Sequence, residues 1–218
     1  MPSLDDTDEA YVWNRVHQIA TNSWKTDLVY RPFYHPTGFI MAASSEKAGQ
    51  EVDSYVRSCK SRIRLLSSPS EFQDTMPKGI LTGSFSNWKG CFREDGAGWI
   101  FARGALEAAY KEASRLGVKF IMGETKGKVT SLLYSSSDVS GAQTVDGVEY
   151  MAQKIILCAG ANSDRLFDFE RQLRPTAWTL AHIQMTEEER TIWKNLPVLF
   201  NLERGFFIVC SLPSLRRG

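Results

Sequence analysis

The sequence predicts an α/β fold: part of a parallel-sheet unit with a small antiparallel sheet beside it, followed by the opening strands of a second, antiparallel sheet. Three observations predict it. An amphipathic helical pattern over 100–116 runs directly into the apolar stretch 118–122, a meander of short strands begins at Lys128, and the apolar run 155–159 ends in a glycine turn that opens a further helix. Helix, strand, meander and buried strand in that order are the signature of an α/β unit. At 218 residues and 43% apolar content the chain can bury one large core or two small ones.

Taken in order, the elements begin with an acidic start and the apolar residues Tyr11, Val12, Ile19 and Ala20 at loose helical spacing, which predict a surface helix up to Trp24. Turn residues at Arg31-Pro32 and at His35-Pro36-Thr37-Gly38 precede Phe39-Ile40-Met41-Ala42-Ala43, a buried strand. The polar stretch 44–77 is read as two short helices, and the Gly-, Ser- and Trp-rich stretch 79–98 as a loop. In 100–116, Phe101, Ala105, Leu106, Ala109 and Ala113 fall on one face, Arg103, Glu107 and Lys111 on another, and Gly117 is placed to end the helix. After the Gly160 turn, Ser163 or Asp164 is the expected cap of a short helix carrying Leu166, Phe167 and Phe169. Residues 178–185 and 198–210 read as strands, with a hairpin turn at Glu203-Arg204-Gly205 and a helix-prone stretch over 186–195.

Composition removes several function classes. A formal net charge of +1, from basic and acidic residues mixed along the chain, makes no stripe for nucleic acid or an anionic membrane. No apolar run approaches the roughly 20 residues of a spanning helix, and the first residues lack a signal-peptide pattern. The four cysteines have no short repeated spacing, and Cys158 sits in an apolar run where a buried thiol is expected. These features predict a cytoplasmic protein. His17, His35 and His182 have no metal-site spacing. Gly123-Glu124-Thr125-Lys126-Gly127-Lys128 is one residue short of a phosphate loop and lacks its Ser/Thr, while Gly96-Ala97-Gly98 has Phe101 where a dinucleotide fingerprint needs its third glycine. The turn Ala159-Gly160-Ala161-Asn162 has the composition either of a tight packing joint or of a place where a ligand's anionic group meets backbone N–H groups.

Several stretches carry a resemblance in the same order. Gly98-Trp99-Ile100-Phe101-Ala102-Arg103, Gly117-Val118-Lys119-Phe120 and Ile155-Ile156-Leu157-Cys158-Ala159-Gly160-Ala161 resemble the middle of the glycine and sarcosine oxidase (DAO) family of FAD enzymes. Leu173-Arg174-Pro175-Thr176-Ala177-Trp178-Thr179, Phe200-Asn201-Leu202-Glu203-Arg204-Gly205-Phe206-Phe207 and Pro32-Phe33-Tyr34-His35-Pro36-Thr37-Gly38-Phe39 are similar to the fungal fructosyl amino acid oxidases, or amadoriases. The resemblance implies an incomplete FAD-binding, glutathione-reductase-like domain interleaved with part of an antiparallel-sheet substrate domain. Its implied boundaries are 1–30 for a helical piece of the FAD domain, 31–91 for the first part of the substrate domain, 92–170 for an FAD-binding piece, and 171–218 for the second substrate part.

The resemblance implies FAD as cofactor and a glycated amino acid as small-molecule substrate, with a monomeric complete enzyme. The C–N bond of a secondary amine would be oxidised by dioxygen to give hydrogen peroxide. By position, Val129 matches the place where the family's backbone meets the adenine, Ala159, Gly160 and Ala161 match the turn along the ribose and pyrophosphate, and Trp178 matches a wall of the substrate pocket. The family's G-x-G-x-x-G turn has no counterpart here, the stretch from about 208 does not match, and Cys210 has no motif of a flavin-linking cysteine. The expected behaviour is therefore an oxidase fragment inactive by itself. The competing readings are a non-catalytic relative that binds a partner through unpaired sheet edges, and a parent acting on sarcosine-like N-methyl amino acids.

Overall fold

The computed structural model describes residues 6–58, 62–76, 83–177, 179–203 and 206–208. They divide into two compact units, Met1–Ala113 with Ile183–Gly218, and Ser114–His182. In the first unit helix α1 (Asp6–Thr26) leads through a 3₁₀ turn to the short strand β1 (Tyr34–His35) and then to β2 (Phe39–Ala43). Helix α2 (Glu46–Ser58), strand β3 (Ile63–Leu66), helix α3 (Pro69–Gln73), strands β4 (Lys89–Arg93) and β5 (Trp99–Ile100) and helix α4 (Ala102–Arg115) follow. The surface helix, the buried strand and the long amphipathic helix thus form where the periodicity places them.

One mixed sheet organises this unit. Its order is β10-β9-β2-β4-β3, with β9 (Val198–Asn201) and β10 (Phe206–Ile208) contributed from late in the sequence. Helix α5 (Glu187–Trp193) precedes β9 and is opened by a capping box in which Thr186 N–H donates to Glu189 Oε2 at 2.7 Å and Glu189 N–H to Thr186 Oγ1 at 3.2 Å. The sheet is not wholly antiparallel, because β2 runs parallel to β9 while pairing antiparallel with β4. A parallel pair cannot be closed by a hairpin and needs a long crossover, here everything between the two strands.

Alternation along β2 builds two cores. Ile40 and Ala42 point to one side and pack with Leu66, Phe72, Phe85 and Leu199, while Ala43 faces the other way and joins Ala48 and Val52 of α2 and Cys91 of β4. A sheet buried on both faces reads as a continuous apolar run, which is how β2 reads. Phe72 is fully buried, stacked on Phe85 at 5.5 Å and edge-on to Trp88 at 5.9 Å. The stretch expected as a loop, 79–98, supplies the neighbour of β2, since β4 lies inside it; Gly90 and the charged Lys89 and Arg93 hide that strand from periodicity. Between the two helices expected over 44–77 the structure adds β3, with its alternate residue Leu65 half exposed.

The second unit holds a three-stranded antiparallel sheet, β6 (Val129–Ser135), β7 (Asp138–Thr144) and β8 (Glu149–Met151), in the order β6-β7-β8. Three expected strands are corrected. Residues 118–122, 155–159 and 179–185 form no strand among the described residues, and Met122, Ile156 and Leu180 are 68%, 87% and 80% exposed. Cys158, expected buried, is exposed. Apolar β-formers become a strand only where a second strand takes their hydrogen bonds, and none of the described strands lies in register with these segments.

The turn after β9 is held by charge. Buried Asn201 accepts the Glu203 N–H at 3.1 Å through Oδ1, and the Glu203 carboxylate accepts from the Ser44 N–H, from Ser44 Oγ at 2.6 Å and from the Ser45 N–H at 2.9 Å. The hydroxyl and amide donors of Ser44 and Ser45 hold the Glu203 pKa down, from the ordinary 4.5 to about 2. A depressed carboxylate contributes stability above its unfolded pKa and loses it as pH falls toward the folded one. Melting temperature followed by circular dichroism should therefore fall between pH 4.5 and about 2 more steeply in the native chain than in Glu203→Gln. Truncation of the stacked core residue, Phe72→Ala, is expected to cost about 3–5 kcal/mol in urea unfolding.

Candidate functional site

Val129, the first of the sequence-derived positions, opens β6 opposite Thr144 and is 38% exposed. The ladder shifts register between Val129 and Ser131, so Thr130 drops out of the pairing and its hydroxyl donates to the Gln143 carbonyl at 3.2 Å. β6 is an edge of its sheet. An edge strand keeps alternate backbone N–H and C=O groups free of the ladder, which is the chemistry a heteroaromatic base edge can meet.

Ala159, Gly160 and Ala161 stand together at the start of a 3₁₀ turn, Gly160–Arg165. The expected side-chain cap is absent: Ala159 occupies the cap position, where it has no side chain to bond with, and Asn162 N–H donates to its carbonyl at 3.1 Å. Ser163 is buried inside the turn, its carbonyl taking the N–H groups of Leu166 and Phe167 at 3.1 Å. A six-residue 3₁₀ turn has little of the dipole of a full α-helix, so what this turn offers is shape and free amides.

Gly160 has φ +55°, and a Cβ built there would meet nothing within 4 Å. The left-handed backbone, not crowding, selects glycine, and the space beside it is open to an incoming group. Val129 and the Gly160 turn belong to the same compact unit. The described hydrogen bonds and ring contacts include none that joins them. Trp178 lies outside the described residues.

Sequence reasoning missed three polar arrangements in the first unit. His35 and Trp99, opposite each other across β1 and β5, stack at 3.9 Å between ring centroids, and His35 Nε2 and Trp99 Nε1 are buried without a partner among the described residues. Burial lowers the His35 pKa from its ordinary value. Beside the start of α2 an open cleft of about 410 Å³ has Ser44, Gln50, Asp53, Asn87 and Lys89 in its walls, Lys89 Nζ bonded to Asp53 Oδ2 at 2.6 Å. The third is the Glu203 clamp on Ser44 and Ser45. Each joins residues distant in sequence, so no local spacing announces it.

The glycine turn with its open space and the edge strand thus lie in one compact unit. Residues 5–212 match the family model described as FAD dependent oxidoreductase (DAO), and the chain belongs to that family. Amadoriase I of Aspergillus fumigatus, a fructosyl amine:oxygen oxidoreductase, is 46% identical with a TM-score of 0.84, over 88% of this chain and 44% of that one. Amadoriase II of the same fungus, in complex with FSA, is 41% identical with a TM-score of 0.85, over 100% of this chain and 49% of that one. L-saccharopine oxidase of Schizosaccharomyces pombe is 25% identical over 195 residues, 84% of this chain and 45% of its own length. The chain therefore spans about half the length of the relatives it matches. The family match extends to residue 212, beyond the point near 208 where the resemblance was expected to stop.

Gly160→Ala would place a Cβ in the left-handed region without a clash, so its cost to folding should be limited to about 1–2 kcal/mol.

Proposed function

We propose that this chain is the adenine-side and first substrate-sheet portion of a fructosyl amino acid oxidase, and that it is inactive by itself. The observation that carries the reading is identity of 41–46% to two amadoriases, maintained over at least 88% of this chain but under half of theirs. Bound FAD would supply the chemistry, accepting a hydride from the carbon beside the substrate's secondary amine and passing the electrons to dioxygen, which leaves as hydrogen peroxide while water hydrolyses the imine. This chain's own residues bind and orient. By resemblance to the family, the backbone at Val129 would hold the adenine and Ala159, Gly160 and Ala161 the ribose and pyrophosphate, while Trp178 is assigned to the substrate pocket on its sequence position alone. The substrate class is a glycated amino acid, and the complete protein is a monomer.

In this reading 31–91 and 171–218 form the substrate domain and 1–30 and 92–170 the cofactor domain. The sharing of one sheet by β2, β3, β4 and β9 supports grouping the first pair. The 218 residues contain no G-x-G-x-x-G turn. A pyrophosphate held only at the Gly160 turn lacks the main set of amides that such a turn presents. A second reading, a non-catalytic relative that docks a partner, is favoured by the exposure of Met122, Ile156 and Leu180.

Purified full-length chain, incubated with FAD and passed through gel filtration, should emerge colourless and should produce no hydrogen peroxide from fructosyl-valine. Stoichiometric flavin in the protein peak would overturn the claim of inactivity. Joined to the remaining half of an amadoriase, the chain should turn over fructosyl-valine in preference to sarcosine; the reverse preference would sink the substrate assignment.

A further inference from the structure

Two cations that no part of the flavin reading uses converge beside the turn after β4. Lys25 ends α1 and Arg93 ends β4, and between them the chain turns at Gly96 with φ +67°. A Cβ built on Gly96 would stand 3.3 Å from Lys25 Nζ and 3.7 Å from Arg93 Nη2. Both charges therefore lie beside Gly96, whose lack of a side chain leaves room for them, with Thr21 Cγ2 standing 3.6 Å from the same position. Arg93 Nε is committed to the Asp95 carbonyl at 3.1 Å. Neither Lys25 nor Arg93 forms an ion pair among the described residues, and the neighbouring carboxylates Glu94 and Asp95 are exposed and bond to neither.

Like charges held this close repel unless something of opposite sign lies between them. Their backbones are nevertheless held by independent anchors: Lys25 on a 21-residue helix, Arg93 in register opposite Phe39 and Ile63 within the five-stranded sheet. A further donor stands close by. The Tyr34 hydroxyl is buried without a partner among the described residues, and the Arg93 charge acts on it.

We propose that Lys25, Arg93 and the Gly96 turn form a binding site for a small oxyanion, a carboxylate or a phosphate group. The ammonium and a guanidinium N–H donate to separate oxygens of such a group, each a charge-assisted hydrogen bond, and carboxylates and phosphates carry two or more acceptors. Chloride, with a single acceptor centre, is a poorer match for two donors.

The test is thermal unfolding of the full chain at constant ionic strength, with chloride replaced stepwise by inorganic phosphate in one arm and by acetate in another. The midpoint should rise and saturate in at least one arm, since a ligand that binds only the folded state raises stability with its concentration. Saturation in both arms identifies a general oxyanion site, and saturation in phosphate alone a phosphate site. Lys25→Met and Arg93→Met should each weaken the apparent affinity at least about tenfold, the loss of one charge-assisted bond. Gly96→Asp places a tethered carboxylate at the same point, and aspartate tolerates the left-handed backbone. That variant should melt higher in chloride and lose the anion response. Should Arg93→Met fail to fold, Lys25→Met and Gly96→Asp, at an exposed and a half-exposed position, decide the matter. Absence of saturation in both arms, or an equal response in native chain and Lys25→Met, leaves only bulk screening and overturns the site.

Discussion

The parallel pairing of β2 with β9 is the constraint on which the first unit rests. Val198 N–H donates to Gly38 O at 3.0 Å and Leu202 N–H to Ala42 O at 2.9 Å, so the ladder is bounded at both ends, and the Glu203 carboxylate then closes on Ser44 and Ser45 across 159 residues of sequence. Closing so long a loop costs entropy that rises only slowly with its length, but it must be met before any of these bonds form. Phe39, Ile40, Met41 and Ala42 of β2 all pair with both neighbours, which places the two cores on either side of one strand. Loss of that strand would leave β3 and β4 without a second edge and α2 without a floor.

How much of this was legible follows from where the information lies. Helices α1 and α4 declare themselves because their pattern repeats within one element, and β2 because five apolar residues in a row can only be buried. Strand β4 does not, since Lys89-Gly90-Cys91-Phe92-Arg93 owes its pairing to β2 and β3 and not to its own propensity. The reverse error arose at 118–122 and 155–159, where propensity is strong but the described residues offer no ladder. Local sequence states what a segment tolerates; the neighbour states what it becomes.

The candidate site divides along the same line. The small residues at 159–161 could be found because turns are local chemistry, and the structure adds that Gly160 is left-handed with open space beside it. The helix cap expected at Ser163 or Asp164 failed because the turn starts earlier, at Gly160, and Ser163 is drawn inside it. Convergences such as Glu203 with Ser44, His35 with Trp99, or Lys25 with Arg93 join side chains from separate elements. No spacing rule reaches them, and only the tertiary fold reveals them.

Exposed apolar surface in the second unit ties function to association. Met122, Ile156 and Leu180 are each more than two-thirds exposed, and covering a side chain of that size fully is worth about 1.5–3 kcal/mol. Any polypeptide able to add strands beside 118–122 and 155–159 gains that free energy and the backbone hydrogen bonds as well. Residues 155–159 run straight into the Gly160 turn, so whatever covers the segment also fixes the turn that the flavin reading assigns to the cofactor. Both proposed readings, completion of an oxidase and capture by a non-catalytic partner, call on these exposed apolar residues.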